Sequence, residues 1–275
     1  MREARFARRG VAQYLLVAAL ALVTGAAASW LLAGRGAGRG DARRPTTHGE
    51  WVFIRNRSGD SLRAYVAYPE RKDPAPGVIV IHELFGLTAW EPTVADRLAG
   101  AGYVAIVPDL LSSRFGITPA DPDSGRKLTA RLDRQAVGVD LDAAAAYLRT
   151  LPAVRKEALG TIGFCWGGAI AFWYATVNPT LEAAVVCYGS APDSAALARI
   201  RAPVLGVYGE DDARINADLD RVTRQMQALG KRFEHDIYPG TGHGFLKPGR
   251  RGSDGPQAAR AWDRVLGFFR THLGA

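Results

Sequence analysis

Hydrophobic positions along the chain fall into two regimes. From Val11 to Ala33 (VAQYLLVAALALVTGAAASWLLA) they form one uncharged block, whereas beyond residue 50 short apolar or β-branched runs alternate with segments whose apolar residues recur every three or four positions. The runs at 51–56, 61–68, 77–82, 103–107, 160–164, 183–188, 203–208 and 233–238 predict strands. The first two flank Ser58-Gly59-Asp60 and predict an antiparallel hairpin. The later ones are almost wholly apolar, as strands covered on both faces should be. Helical periodicity appears at 90–101, 135–150, 167–177, 214–229 and 256–272, the last with Trp262, Val265, Leu266, Phe269 and Leu273 on roughly one face. This alternation predicts an α/β domain over 50–275 with a mainly parallel sheet of about eight strands flanked by helices. The turn-rich stretch 111–127 (LSSRFGITPADPDSGRK) comes after a strand end, where such folds build ligand pockets.

The uncharged block is preceded by a basic start, REARFARR at residues 2–9. Its 23 residues suffice for a helix across a hydrocarbon core of roughly 30 Å. Residues 1–33 are therefore expected to be an N-terminal apolar helix, acting as signal or membrane anchor. Ala26-Ala27-Ala28 offers a cleavage site, but the apolar run continues through Trp30, Leu31 and Leu32, which favours an uncleaved anchor. A buried helix of the domain would need a polar outer face, which this block lacks. Arg2, Arg5, Arg8 and Arg9 before the span place the folded domain outside the cytoplasmic membrane, membrane-anchored or exported, although further arginines after the span blunt the asymmetry. Residues 34–49 (GRGAGRGDARRPTTHG) are too Gly- and Arg-rich to pack and read as a flexible spacer.

Net charge changes the picture less than its value suggests. Of the total of +8, residues 1–44 hold +6, from eight arginines against Glu3 and Asp41, so the domain itself is nearly neutral. A nucleic-acid binder would carry that excess as a patch on the folded domain, so no nucleic-acid partner is expected. The two cysteines, Cys165 and Cys187, are too few for a disulfide framework. An oxidising compartment could still couple them, although Cys187, at a strand end, reads as packing.

Cys165 stands in Gly163-Phe164-Cys165-Trp166-Gly167-Gly168, between an apolar strand and a helix. This is the pattern of a nucleophile elbow with Cys for Ser, in which a tight turn holds the thiol at a helix N-terminus and favours the thiolate. A free cysteine is as readily a small buried hydrophobe in a Gly-rich turn. An acid and a histidine further along the chain favour chemistry. Asp212, with Asp211 as competitor, comes after one strand in Gly209-Glu210-Asp211-Asp212, and His243 comes after the next in Gly240-Thr241-Gly242-His243-Gly244-Phe245, giving the chain order nucleophile, acid, base. Upstream, the strand at 77–82 ends in His82-Glu83-Leu84-Phe85-Gly86, where α/β-hydrolases place one oxyanion donor. Leu84 and Trp166 would be the two backbone donors. Glu83 is unusual so close to an elbow, and must either be paired, for instance with Arg114, or have a job.

HELFGL, PDLL at 108–111, GFCWGG, GEDD and GTGHGF, in that order, resemble the dienelactone hydrolase family over about residues 50–275. The resemblance implies an α/β-hydrolase fold that cleaves an ester or lactone with Cys165 as nucleophile, His243 and Asp212 as its partners, and Glu83 helping to turn thiol into thiolate when substrate arrives. It also implies cations for the substrate's carboxylate at Arg114 and at Lys247, the latter keeping the charge of an arginine but not its fork. Phe85, Trp90, Trp166 and Phe245 are expected to shape the pocket. No metal or organic cofactor is implied, and the expected partner is a small ester or lactone. A general carboxylesterase or thioesterase, or a binding scaffold on the same fold, remain as alternatives.

Overall fold

The computed structural model describes residues 47–274; the apolar block and most of the spacer lie outside the described residues. Among the described residues no helix is long and apolar enough to cross a membrane. One eight-stranded sheet runs through the domain in the order β1-β2-β4-β3-β5-β6-β7-β8. β1 (Thr47–Arg55) and β2 (Ser61–Pro69) form the expected hairpin, and β2 pairs antiparallel with β4 (Val104–Pro108). The remaining neighbours, β3 (Ala75–Ile81), β5 (Val154–Phe164), β6 (Ala183–Cys187), β7 (Val204–Asp211) and β8 (Phe233–Gly242), are all parallel.

β1 begins inside the expected spacer. Thr47, His48 and Gly49 pair with Pro69, Tyr68 and Ala67, and the His48 ring stacks on Tyr68 at 4.9 Å. A strand needs only a backbone partner, so the Gly-rich composition that suggests a flexible chain does not prevent pairing.

Parallel strands need helical crossovers, and these supply two covering layers. α4 (Arg134–Thr150) and α5 (Trp166–Val177) bury Val137, Leu141, Leu148, Ile170 and Phe172 against one face. α1 (Trp90–Gly100) and α9 (Pro256–Leu273) bury Val94, Leu98, Val265 and Phe269 against the other. Every residue of β3 is buried, each Val or Ile contributing roughly 1.5–3 kcal/mol over an exposed one. Asp133 caps α4 by accepting from the N–H groups of Gln135 and Ala136.

The single helix expected over 214–229 is two, α7 (Ala213–Asn216) and α8 (Leu219–Ala228). Asn216 uses its Nδ2 to hold Gly209 O at 2.8 Å, which ties the first turn to the end of β7 and breaks the run. The turn-rich stretch likewise carries two short helices, α2 (Ser112–Phe115) and α3 (Pro122–Thr129).

Strand order reverses at β3, which has β4 on one side and β5 on the other. Ligand crevices open at the carboxyl ends of strands at such a switch point. Ile81 pairs with Gly163, so the next residues of each strand, His82-Glu83 and Phe164-Cys165, leave the sheet side by side. Two strands further, Asp211 pairs with Gly242, so Asp212 and His243 leave together as well. The same edge therefore receives all four candidate side chains.

Close packing at the β5–α5 turn depends on two glycines: a Cβ on Gly163 would lie 2.0 Å from Gly167 O, and one on Gly167 would lie 2.3 Å from His82 O. Gly163→Ala should cost roughly 3 kcal/mol or more, read as a lowered urea midpoint or loss of soluble protein. Gly100→Ala, where an added Cβ meets nothing within 4 Å, should be neutral or slightly stabilising in the same titration.

Candidate functional site

Cys165 joins β5 to α5 with φ 56° and ψ −115°, backbone angles that an L-residue adopts only under constraint. The constraint is visible: its N–H donates to Cys187 O at 3.0 Å and its carbonyl accepts from Ala169 N–H at 3.2 Å, fixing the turn to β6 and to α5. The half-buried thiol is thereby held above the sheet edge.

Beyond it, His243 Nδ1 and Asp212 Oδ2 lie 2.5 Å apart, with Asp212 buried and the imidazole about one-third exposed. Asp211, the competing acid, pairs instead with Arg251 on the surface. No hydrogen bond between His243 and the Cys165 thiol is formed among the described residues.

Glu83, buried to 4 % side-chain exposure, is paired not with Arg114 but with Lys247, whose Nζ is 2.7 Å from Oε2. The ammonium also lies 5.0 Å from the Trp90 ring centre and 5.6 Å from that of Phe85. A compact point charge suits this box of one carboxylate and two ring faces. Lys247, Phe85 and Trp90 are thus together, with the ammonium expected for a substrate carboxylate paired instead with Glu83. Arg114 is elsewhere: its Nη1 is 2.8 Å from Asp60 Oδ2 in the β1–β2 turn. Ser113 beside it bonds Asp140, so α2 is fastened to the hairpin and to α4, and the Arg114 guanidinium is committed to Asp60. Phe245 also departs from expectation. It is fully buried, with its ring 5.3 Å from Tyr238 and 6.1 Å from Tyr188, and belongs to the core under His243, not to an open wall.

The thiol's electrostatics reverse the expectation from the helix N-terminus. Burial, and after it the Glu83 charge, push Cys165 up to about 11, outweighing the Trp166 N–H bond and Arg214, which pull it down. Removing a thiolate from water costs more here than the helix end returns. Cys187 is fully buried and free, so its thiol also rises well above its ordinary value and packs as expected.

The oxyanion candidates are oriented by their peptides. Glu83 O accepts from Gly86 N–H at 3.2 Å and lies 2.7 Å from His82 Nδ1. Because a trans peptide points C=O and N–H in opposite directions, the Leu84 N–H is turned away from those contacts. Trp166 is half-buried, its ring stacked on His82 at 5.4 Å. Asp109 of the PDLL segment accepts from Thr118 Oγ1 at 2.6 Å, and that hydroxyl accepts from Leu87 N–H at 3.0 Å, so this carboxylate anchors the loop beside Glu83.

Two residues escaped sequence reasoning. Tyr188 comes directly after β6 with φ 42°, its ring 5.1 Å from that of His243 and its buried hydroxyl without a partner among the described residues. Burial, then Cys187, Glu83 and Cys165, push that hydroxyl well above its ordinary range, which keeps it neutral. Its signal was an aromatic at the end of the strand next to the elbow. The other, Arg214, stands two residues after Asp212.

Comparison with known proteins identifies the family. The sequence pattern of the dienelactone hydrolase family matches residues 62–273. A Methylorubrum extorquens protein named "Putative carboxymethylenebutenolidase" is 33% identical over 224 residues, 77% of each chain. A Bradyrhizobium protein named "Probable 2-oxo-3-(5-oxofuran-2-ylidene)propanoate lactonase" is 33% identical over 236 residues, 82% of this chain and 94% of its own. The crystal structure of a "Putative Dienelactone Hydrolase" from Klebsiella pneumoniae superposes with a TM-score of 0.72 at 29% identity, covering 81% of this chain and 98% of its own. With an eight-stranded α/β-hydrolase sheet and a family match from residue 62 to residue 273, the chain belongs to the dienelactone hydrolase family and is a hydrolase of ester or lactone bonds.

Proposed function

We propose that the protein hydrolyses a small lactone or enol ester through a Cys165 thioester, with His243 as base and Asp212 as the group that orients it. The observation that carries this reading is the strained Cys165 on the same sheet edge as the 2.5 Å His243–Asp212 pair. The relatives' names support a lactone substrate class.

The resting nucleophile is a thiol, so it must lose a proton before it attacks. Glu83 is the nearby carboxylate, held by Lys247 until substrate competes for that ammonium. Once released, Glu83 accepts the Sγ–H proton, and the thiolate adds to the substrate carbonyl. The oxyanion is held by the N–H groups of Leu84 and Trp166. Collapse breaks the acyl C–O bond, and the leaving oxygen takes the proton from Glu83. His243 closes on a water, takes a proton as the water oxygen attacks the thioester, and returns it to the departing Cys165 sulfur, releasing the acid. The buried Asp212 carboxylate fixes the imidazole orientation during this step.

The apolar block supports a second, separate proposal, that the domain is carried on a membrane anchor or exported. Full-length protein should remain with the membrane fraction after an alkaline carbonate wash, while residues 45–275 should not; release of both overturns the anchor.

Purified residues 45–275 should hydrolyse an enol lactone bearing a carboxylate, and Cys165→Ala should lower the rate at least about 10³-fold with an unchanged melting temperature. Cleavage of neutral aryl esters or thioesters alone would keep Cys165 and discard the lactone. Equal rates in variant and parent would overturn the nucleophile.

Iodoacetamide should report the thiol directly. Alkylation of Cys165 should climb about tenfold per pH unit from pH 7 to 10 without levelling, as a group displaced to about 11 requires. Glu83→Gln removes a negative charge beside the thiol, so it should accelerate alkylation at pH 8 by about tenfold while slowing hydrolysis. A plateau by pH 8, or no response to Glu83→Gln, contradicts the role given to Glu83.

A further inference from the structure

His82 is the first residue beyond β3, and it is fully buried. A buried imidazole gives up its contacts with water, so its ring has to be used within the fold. Nδ1 is used: it lies 2.7 Å from Glu83 O. A carbonyl oxygen only accepts, so Nδ1 carries the hydrogen of that bond. Nε2 is buried without a partner among the described residues. The bond runs to the adjacent residue and joins no distant elements, so it adds little to holding the fold together. What it fixes is a single peptide, the one between Glu83 and Leu84.

That peptide needs an anchor of its own. On the proposed mechanism the Glu83 carboxylate leaves Lys247 to take the Sγ–H proton, while the next N–H along the chain stays aimed at the substrate oxygen. Glu83 O is held twice, by Gly86 N–H at 3.2 Å and by His82 Nδ1, so the carboxylate can turn about its own side-chain bonds without carrying the Leu84 N–H along. The same imidazole also reaches the second donor. Its ring stacks on that of Trp166, centroids 5.4 Å apart and planes 16° from parallel. Trp166 is the first residue of α5, and the two backbones touch there: a Cβ on Gly167 would lie 2.3 Å from His82 O and 2.4 Å from Ile81 O. One side chain therefore contacts the segment after β3 and the turn after β5, the two places from which the oxyanion donors come.

We infer that His82 is a positioning residue that aligns both oxyanion-donating peptides, Leu84 through its hydrogen bond to Glu83 O and Trp166 through its ring. The inference rests on the hydrolytic reading above and adds the side chain that sets the geometry of the oxyanion donors. Fixed donors stabilise charge that develops only in the transition state, and losing one costs roughly 10²–10³-fold in kcat. A residue that acts through those donors changes kcat and leaves KM nearly unmoved.

Two substitutions separate the contacts. His82→Phe keeps an aromatic face for Trp166 and loses the donor, whereas His82→Gln keeps a donor and loses the face. Each should lower kcat for an enol lactone about tenfold or more, with KM within about twofold of the parent. Phenyl trifluoromethyl ketone gives a second readout. After Glu83 takes the Sγ–H proton, the Cys165 sulfur bonds to the ketone carbon, the C=O π pair moves to oxygen, and the hemithioketal oxyanion lies against both N–H groups. Affinity for this ketone should fall about tenfold or more in each variant, while alkylation of Cys165 by iodoacetamide, which forms no oxyanion, stays within about twofold. Unchanged kcat and ketone affinity in both variants overturn the inference and leave the hydrolytic reading standing, and alkylation slowed as much as ketone binding overturns it too, since the whole corner has then moved. If the parent cleaves no lactone but binds the ketone, the hydrolytic reading falls and the ketone affinities still decide the role of His82. A parent that forms no adduct ends both. Should the variants fail to fold, the imidazole nitrogen spectrum of the parent decides: Nδ1 of His82 should carry hydrogen, and a ring protonated at Nε2 alone overturns the inference.

Discussion

Glu83 and the Cys165 thiolate are two anions that the fold places in one corner, where β3 and β5 end side by side at the switch in strand order. Burial limits how far water screens them, so only one carries its charge comfortably. The corner resolves this by keeping the thiol protonated and giving the carboxylate an ammonium, Lys247, nearly sealed between two aromatic rings. On the proposed mechanism, this arrangement keeps the sulfur protonated at rest with a base beside it. Everything else at the site adapts to that corner: Trp90 and Phe85 shield the ammonium, Tyr188 stays neutral, and the His243–Asp212 pair arrives from two strands away.

The sheet explains why so few residues suffice. Parallel pairing brings consecutive strands to the same edge, so a register such as Ile81 with Gly163, or Asp211 with Gly242, delivers functional side chains in neighbouring pairs. Turning the chain sharply at Cys165 costs backbone strain, and the hydrogen bonds to β6 and α5 together with the close approach of Gly163 and Gly167 hold it there.

Much of this was legible in the sequence, because parallel strands write themselves as unbroken apolar runs and because the elbow leaves glycines at fixed spacing. Cys165, His243 and Glu83 stand in motifs whose order along the chain makes them visible, Asp212 competes with Asp211 until the pairing with His243 separates them, and Lys247 is reached only through the family resemblance. Arg114 could not be placed, since its partner, Asp60, lies 54 positions away and no local pattern announces a bond between a loop helix and a hairpin turn. Phe245 looks like pocket wall because it lies close to His243 in sequence, yet the turn after β8 seats its ring in the core against Tyr188 and Tyr238. The protonated thiol was equally hidden: a helix N-terminus is visible in sequence, whereas desolvation is a property of the assembled corner. Tyr188 reads in sequence as the last residue of an apolar run and Arg214 as the start of a helix, and neither pattern shows that the chain brings it to the Cys165 edge.

Thr118 and Gly125 give the loop between β4 and α4 a role beyond covering the site. Asp109 and Thr118 tie the loop to Leu87, and a Cβ on Gly125 would lie only 2.2 Å from Phe85 O, so α3 rests directly on the segment that carries Leu84. Roof and Leu84 peptide therefore form one mechanical piece. On the proposed mechanism, a change in the roof that accommodates a bulkier substrate shifts the Leu84 N–H with it, so widening the substrate range at this loop retunes the chemistry beneath.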